Sequence, residues 1–187
     1  MFLTGDINVG KSTIINNYLS LIKYDNVSGF KTLPFYENSD LKGYYMEDLL
    51  EENLVHNKKM GFLEKNVTNI DKKSIVGINE YHGLGKKCYG FPINYDEYGV
   101  KILKKSFFSS ANIIIMDELG FFERKSKKFT KEVFKILKSD KRVLGVIKKR
   151  RNEFLDGVVN LENVKVIEVT LSNRDKILDE IILEWGI

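Results

Sequence analysis

The chain has 187 residues, and its 43% hydrophobic and 30% charged residues predict one soluble globular domain over residues 1–187. The longest uninterrupted apolar run, residues 113–116, is too short to cross a membrane, and the N-terminus carries no export signal, so we expect a cytoplasmic protein with no membrane partner. One cysteine and two histidines exclude an internal disulfide framework and leave too few ligands for a structural zinc site.

The net charge of +4 comes from 30 basic residues against 26 acidic ones. The basic residues are 25 lysines and only five arginines, and the lysines are scattered among the acids. A nucleic-acid surface more often gathers arginines in one stripe, because the guanidinium group binds phosphates and bases in a bidentate fork. We therefore interpret the lysines as solvated surface and do not expect a nucleic-acid partner.

The first elements of the chain alternate between strand and helix. Residues 1–4 predict a short buried strand and residues 5–10 a loop. Residues 11–23 carry apolar side chains at helical spacing, and residues 27–32 resemble a second strand. This order of strand, loop and helix is typical of the start of an α/β fold.

The pattern becomes irregular over residues 33–93, where short aromatic and β-branched runs are interrupted by polar turns. Both prolines of the chain, Pro34 and Pro92, fall in this stretch. We predict an insertion of antiparallel hairpins and loops laid over one end of the core.

Alternation returns in the second half of the chain. Helices are predicted at residues 96–106, 128–138 and 173–185, and strands at residues 112–116, 143–147 and 164–169. Residues 172–175 have the pattern of a capping box for the last helix. Such alternation favours an α/β fold with a mostly parallel sheet covered by helices on both faces.

A complete phosphate-loop motif, G-x-x-x-x-G-K-[ST], lies between the first strand and the first helix. The candidate phosphate-binding residues are Gly5, Asp6, Ile7, Asn8, Val9, Gly10, Lys11, Ser12 and the following Thr13. Glycines let the backbone curl so that its N–H groups point at phosphate oxygens, and asparagine tolerates the left-handed backbone that such a loop needs. Lys11 would bear charge on the β- and γ-phosphates, and the Ser12 hydroxyl would ligate Mg²⁺.

The second signal is the apolar strand 113–116, which is followed directly by Asp117 and Glu118. A strand that is apolar on both faces must be central, and we expect its carboxyl end to lie beside the phosphate loop. Asp117 would then hold the metal through water, and Glu118 would orient or deprotonate an attacking water.

At these residues the sequence resembles the THEP1-type nucleoside-triphosphatases. The similar stretches cover most of the chain: the phosphate loop, residues 29–32, 57–62, 89–95, 115–120 with Glu123 and Phe129, and 169–175. The resemblance implies a RecA-like P-loop fold that slowly hydrolyses ATP, GTP and other nucleoside triphosphates with Mg²⁺. The chain departs from the family at Ile7-Asn8, at Lys58-Lys59 and at Phe121, and none of these changes removes phosphate or metal binding.

Two further groups are candidates for the site. Residues 148–151 form a cationic run in which Arg150 occupies the place of an arginine in some family members, so that it would neutralise charge on the transferring phosphoryl group. A solvated cationic loop explains the run equally well. Asn173 and Arg174 would frame the nucleobase, although a plain helix cap accounts for them too.

The leading hypothesis is a monomeric, Mg²⁺-dependent nucleoside-triphosphatase acting on ATP and GTP. A small-molecule kinase is the second hypothesis, with residues 33–92 as an acceptor-binding lid, but the chain has no arginine before Arg124 to sequester phosphates there. The third hypothesis is a nucleotide-state switch that binds a partner or nucleic acid.

Overall fold

The computed structural model describes residues 1–22, 26–51, 70–82 and 85–186 of the chain. Its strands are β1 (Phe2–Thr4), β2 (Val27–Glu37), β3 (Asp40–Asp48), β4 (Ile75–His82), β5 (Gly85–Gly90), β6 (Ile113–Leu119), β7 (Arg142–Ile147) and β8 (Val166–Glu168). Its longer helices are α1 (Lys11–Leu21), α2 (Val100–Phe108), α3 (Lys127–Leu137), α4 (Glu153–Val159) and α5 (Arg174–Trp185). Short helical turns lie at Lys72–Ser74, Pro92–Asn94 and Glu123–Lys125, and the π-helical turn Tyr95–Gly99 leads into α2.

The strands form one sheet in the order β5-β4-β3-β2-β6-β7-β1-β8. The five strands from β2 to β8 in this order are parallel to their neighbours, and β3, β4 and β5 are antiparallel. The carboxyl ends of the parallel strands therefore meet at one edge of the sheet. One strand, β7, separates β1 from β6, so the strand that carries Asp117 is not the direct neighbour of the strand that leads into the phosphate loop.

Apolar side chains alternate between the two faces of the central strands. Phe2, Ile114 and Met116 belong to a core shared with α2, α3 and α4 on one face. Leu3 and Ile115 belong to a second core shared with α1 and α5 on the other face. Both faces of the sheet are thus covered by helices, and the predicted α/β fold with a mostly parallel sheet is confirmed.

The first turn of α3 is capped from outside the helix. Asp96, in the π-helical turn before α2, accepts hydrogen bonds from the backbone N–H groups of Lys128 and Phe129, both at 2.9 Å through Oδ1. A carboxylate on these N–H groups satisfies donors that have no partner inside the helix. This contact fixes α3 against the segment that leads into α2.

The part of residues 33–93 that the structure describes contains antiparallel strands, as predicted, but these strands extend the central sheet and do not lie over the core. β2 continues past residue 32 to Glu37 and turns through Asn38 and Ser39, both with positive φ, into β3, so the hairpin extends the same sheet. Pro34 misleads the sequence analysis because prolines are rare inside sheets. It is tolerated here because β2 pairs with β6 only as far as Lys31.

Helix α4 was not predicted from the sequence. It is short, and the Asn152 side chain caps it by accepting a hydrogen bond from the N–H of Leu155 at 3.0 Å.

None of the described helices combines the length and the apolar character that crossing a bilayer requires.

The Phe129 ring is a packing centre of the first core. It is fully buried and lies 5.8 Å from the Phe30 ring and 5.1 Å from the Tyr95 ring, measured between centroids. We expect Phe129→Ala to lower the free energy of unfolding by about 3–5 kcal/mol, since the substitution leaves a cavity. Urea denaturation measures this, with Phe108→Ala as the matched control because Phe108 is 76% exposed. Equal losses in the two variants would contradict this description of the core.

Candidate functional site

The loop between β1 and α1 has the curled backbone that the motif predicts. Gly5, Asn8 and Gly10 all have positive φ, at 138°, 64° and 105°. A Cβ atom on Gly5 would lie 2.4 Å from the carbonyl oxygen of Val169, so only glycine fits there. The left-handed backbone predicted for Asn8 is confirmed.

Lys11 is the first residue of α1, and its side chain turns back over the loop. Its Nζ donates hydrogen bonds to the carbonyl oxygens of Gly5 at 3.0 Å and Asp6 at 2.6 Å. The ammonium group therefore lies where the loop and the amino end of α1 meet. That end of a helix carries unpaired N–H groups and a partial positive charge, which together favour an anion.

Ser12 and Asp117 meet across the carboxyl edge of the sheet. The Ser12 hydroxyl lies close enough to the Asp117 carboxyl group to favour its ionised form. Asp117 lies near the carboxyl end of β6 and is only 7% exposed. The two predicted metal-binding residues are therefore close to each other, although β7 lies between their strands.

Lysines surround the Asp117 carboxyl group. Lys31 is its register partner on β2 and donates a hydrogen bond to Asn16 Oδ1 at 2.6 Å, which ties β2 to α1. Burial, with a smaller contribution from the Glu118 charge, raises the pKa of Asp117 to about 6, against the opposing effect of Lys31, Ser12 and Lys11. A cation bound here would favour the ionised carboxylate further.

Glu118 follows Asp117 and turns towards the loop after β7. Its Oε1 lies 2.7 Å from the Nζ of Lys148, and both side chains are partly exposed. The backbone also joins the two segments, because the N–H of Lys148 donates to the carbonyl oxygen of Leu119 at 2.9 Å. The carboxylate of the predicted base is thus held by a cation of its own chain.

Glu123 is a second buried carboxyl group beside this pair. It is 1% exposed, and its Oε1 accepts a hydrogen bond from the backbone N–H of Gly120. Burial raises the pKa of Glu123 to about 7, and the Glu118 charge adds to the effect. The segment that follows β6 therefore buries a carboxyl group whose pKa lies near neutral pH.

The segment before α5 flanks the phosphate loop on its other side. The Asn173 amide donates to the carbonyl oxygen of Glu168 at 2.8 Å and accepts from the N–H of Thr170 at 2.8 Å. Arg174 lies against the loop, since a Cβ on Gly10 would be 3.6 Å from its Cδ. Both predicted base-framing residues therefore stand beside the phosphate loop.

The predicted capping box at residues 172–175 is wrong. The Asn173 side chain bonds to the preceding segment and does not cap α5. The Ser172 hydroxyl is 2.9 Å from the Thr170 hydroxyl. The pattern misleads because these side chains close a turn ahead of the helix, a use of Ser and Asn that competes with capping.

The cationic run after β7 divides into separate contacts. Lys149 pairs with Glu168 at 2.7 Å and Arg151 with Asp156 at 3.4 Å. The Arg150 side chain is exposed and has no hydrogen bond or ion pair to any described residue, so its predicted role stays a prediction. The remaining candidates, Asp6, Ile7, Val9 and Thr13, complete the loop and the first turn of α1, while Lys58 and Lys59 lie outside the described residues.

Sequence reasoning did not single out two lysines of the site. Lys31 was visible only as part of a family-like stretch, and Lys148 only as one member of a basic run. Their contacts cross from one strand to another, and no spacing along the chain signals such a contact.

The residues at the edge of the sheet fit a hard divalent cation. A hydroxyl and a carboxyl group close to each other are oxygen donors of the kind that Mg²⁺ binds while keeping several waters. No group of three or more His, Cys, Asp or Glu side chains converges as a metal cage in the described residues.

A curled loop between a strand and a helix, facing an acidic strand end in an α/β sheet, is the architecture of the P-loop nucleoside-triphosphatases, and this chain belongs to that class. A family model described as NTPase matches residues 1–182. The chain is thus a member of this nucleoside-triphosphatase family, whose members generally use a divalent metal. The predicted resemblance is confirmed.

The similar proteins agree with this assignment. The nucleoside-triphosphatase THEP1 of Thermotoga maritima is 30% identical over 182 residues, which cover 97% of this chain and 92% of the relative. THEP1 of Methanocaldococcus jannaschii is 30% identical over 97% of this chain and 94% of its own. The crystal structure of THEP1 from Aquifex aeolicus matches the fold with a TM-score of 0.71 at 21% identity, over 100% of this chain and 99% of that one.

The solution structure of a human cancer-related nucleoside triphosphatase has the same fold. Its TM-score is 0.69 at 21% identity, over 100% of this chain and 96% of that chain.

We expect Glu123→Gln to change how stability depends on pH. The folded protein holds a proton on Glu123 up to about pH 7, whereas the unfolded chain loses it near the ordinary value of 4.5. This carboxyl group therefore costs the wild type progressively more stability as the pH rises from about 4.5 to 7, and glutamine removes that cost. The stability of Glu123→Gln relative to wild type should rise by about 2 kcal/mol between pH 5 and pH 8 in urea denaturation. A difference that is the same at both pH values would contradict the buried, protonated carboxyl group.

Proposed function

We propose that the protein hydrolyses ATP, GTP and other nucleoside triphosphates to the diphosphate and phosphate in a Mg²⁺-dependent reaction. The proximity of the Ser12 hydroxyl to the Asp117 carboxyl group is the observation that carries the proposal. It brings the end of the phosphate loop and the end of β6 within reach of one hydrated cation.

The loop and the first turn of α1, residues 5–13, would bind the triphosphate through backbone N–H groups. Lys11 already lies over the loop, and in the complex its Nζ would exchange the carbonyl oxygens of Gly5 and Asp6 for phosphate oxygens. A phosphate oxygen is the better acceptor for an ammonium group because it carries charge. Lys11 would thus offset charge at the β- and γ-phosphates as the bond between them breaks.

Ser12 and Asp117 would hold the Mg²⁺ ion, Ser12 through its hydroxyl and Asp117 through a water molecule. When bound, Mg²⁺ neutralises charge on the β- and γ-phosphate oxygens. The contact of Asp117 with Ser12 and the nearby charges of Lys11 and Lys31 support this role, because they orient the carboxylate and favour its ionised form.

Glu118 would act as the general base. Its carboxylate accepts a proton from a water molecule as the water oxygen bonds to the γ-phosphorus and the bond to the β-phosphate oxygen breaks. The diphosphate leaves with the electron pair of that bond. The position of Glu118 next to Asp117, at the open edge of the sheet, supports this role.

Asn173 and Arg174 would lie near the nucleobase, beside the loop that binds the phosphates. The Asn173 amide is engaged at both ends by backbone groups, so it would shape the segment and leave direct contact with the base to Arg174. Family membership favours hydrolysis over the kinase hypothesis. The strands β3, β4 and β5 of residues 33–92 support the same preference, because they belong to the central sheet.

We expect Glu118→Gln to retain nucleotide binding and to lose at least about 100-fold in kcat, because an amide cannot accept the proton. Phosphate release and fluorescent-nucleotide binding measure the two properties. Glu162→Gln is the matched control, since Glu162 is exposed and precedes the amino end of β8, at the opposite edge of the sheet. Hydrolysis by Glu118→Gln at the wild-type rate would remove Glu118 from the mechanism.

Lys11→Ala should weaken triphosphate binding at least about tenfold, because residues 5–13 then carry no cationic side chain. Phosphate release from ATP, GTP, CTP and UTP, with and without Mg²⁺ and without any acceptor molecule, measures the activity. Removal of Mg²⁺ by chelation should stop release in the wild type, and its return should restore it. Release that needs an added acceptor would favour the kinase hypothesis.

A further inference from the structure

Lys148 occupies a position that several contacts define. Its backbone N–H donates to the carbonyl oxygen of Leu119 at 2.9 Å, and its Nζ lies 2.7 Å from Oε1 of Glu118. Its aliphatic stem passes over Gly120, where a Cβ would lie 3.0 Å from the Lys148 Cδ. The side chain therefore runs along the end of β6 to the Glu118 carboxylate.

An aromatic ring lies on the other side of the ammonium group. The Lys148 Nζ is 5.8 Å from the centroid of the Phe122 ring, within the range of a cation–π contact. Phe122 itself packs against the antiparallel strands, where Cβ atoms on Gly77 and Gly90 would lie 3.2 Å and 2.7 Å from its atoms. The ring is thus held by the sheet, and it borders the space that the ammonium group occupies.

The neighbouring cations have other partners. Lys149 and Arg151 pair with carboxylates of β8 and α4, and Arg150 is exposed. Among the four cations of residues 148–151, all of them described, Lys148 alone contacts Glu118. The contact between Lys148 and Glu118 is therefore specific to one residue of the run.

We propose that Lys148 is a positioning residue for the hydrolysis, whose ammonium group holds one carboxylate oxygen of Glu118 and leaves the other oxygen to accept the proton of the attacking water. The inference rests on the proposed role of Glu118. A carboxylate fixed through one oxygen presents the second in a defined direction, and rotation about the side chain is then restricted.

The exposure of the pair argues for a role in the reaction and against one in folding. The Lys148 and Glu118 side chains are 43% and 31% exposed, and ion pairs of this kind contribute little to folding stability. Glu118 alone would be free to rotate away from the reacting phosphate at the open edge of the sheet. The pair therefore restricts the predicted base where free rotation would lower the rate.

The test compares Lys148→Met with Lys149→Met, which removes a neighbouring cation of the same run. We expect kcat of Lys148→Met to fall about tenfold or more, a part of the 100-fold or larger factor that a general base contributes. KM should change less than about threefold, since Lys148 does not contact the phosphate loop, and thermal denaturation should match that of Lys149→Met. Lys148→Arg should recover most of kcat, because it keeps the charge.

Combining Lys148→Met with Glu118→Gln separates the two proposals. If Lys148 acts through Glu118, Lys148→Met should have no further effect in the Glu118→Gln background. If Glu118→Gln hydrolyses at the wild-type rate, the proposed function of Glu118 fails and this inference fails with it. If Glu118→Gln is inactive and Lys148→Met is as active as Lys149→Met, this inference alone is overturned. A faster Lys148→Met variant also overturns it, because Lys148 would then restrain the base.

Discussion

One contact, between the Ser12 hydroxyl and the Asp117 carboxyl group, brings together the two halves of the site. The residues are more than 100 positions apart in the chain, and β7 lies between their strands. They meet because β1, β6 and β7 are parallel, so that the segments after all three leave the same edge of the sheet. The site depends on this contact, because it keeps Lys11 on one segment near the carboxyl groups of Asp117 and Glu118 on the other.

The sequence predicts those parts of the protein in which only a few residue types are compatible with the local backbone or with burial. The phosphate loop is one, since its glycines and Asn8 need a left-handed backbone that few residues adopt. The central position of β6 is another, because Ile114 and Ile115 face two different cores and both must be apolar. What the sequence did not predict depends on distant pairing. β2 runs through Pro34, and the side chains of Ser172 and Asn173 close a turn ahead of α5, for reasons that lie in neighbouring segments.

The lysines show the same difference between what the sequence predicts and what depends on distant contacts. The composition suggests that the lysines are solvated surface, and for most of the run after β7 this interpretation is reasonable. Three lysines do otherwise: Lys11 lies over the loop, Lys31 beside Asp117, and Lys148 against Glu118. Each is brought to the carboxyl edge of the sheet by a different strand or helix. In a chain with few arginines, the positive potential around a bound triphosphate would therefore come from separate ammonium groups, which are point charges on flexible stems and not planar forks.

The place of β1 in the sheet has a consequence for how the protein is made. Phe2 lies in register with Gly145 of β7 and with Val166 of β8, so the strand that leads into the phosphate loop has its partners more than 140 positions later. During translation β1 leaves the ribosome before those strands and has no sheet partner until they emerge. Contacts of such long sequence separation are slow to form. In a nascent chain, the strand before the phosphate loop therefore takes its place in the sheet only after β7 and β8 have been synthesised, and a nucleotide in the cell stabilises the complete site only from that point.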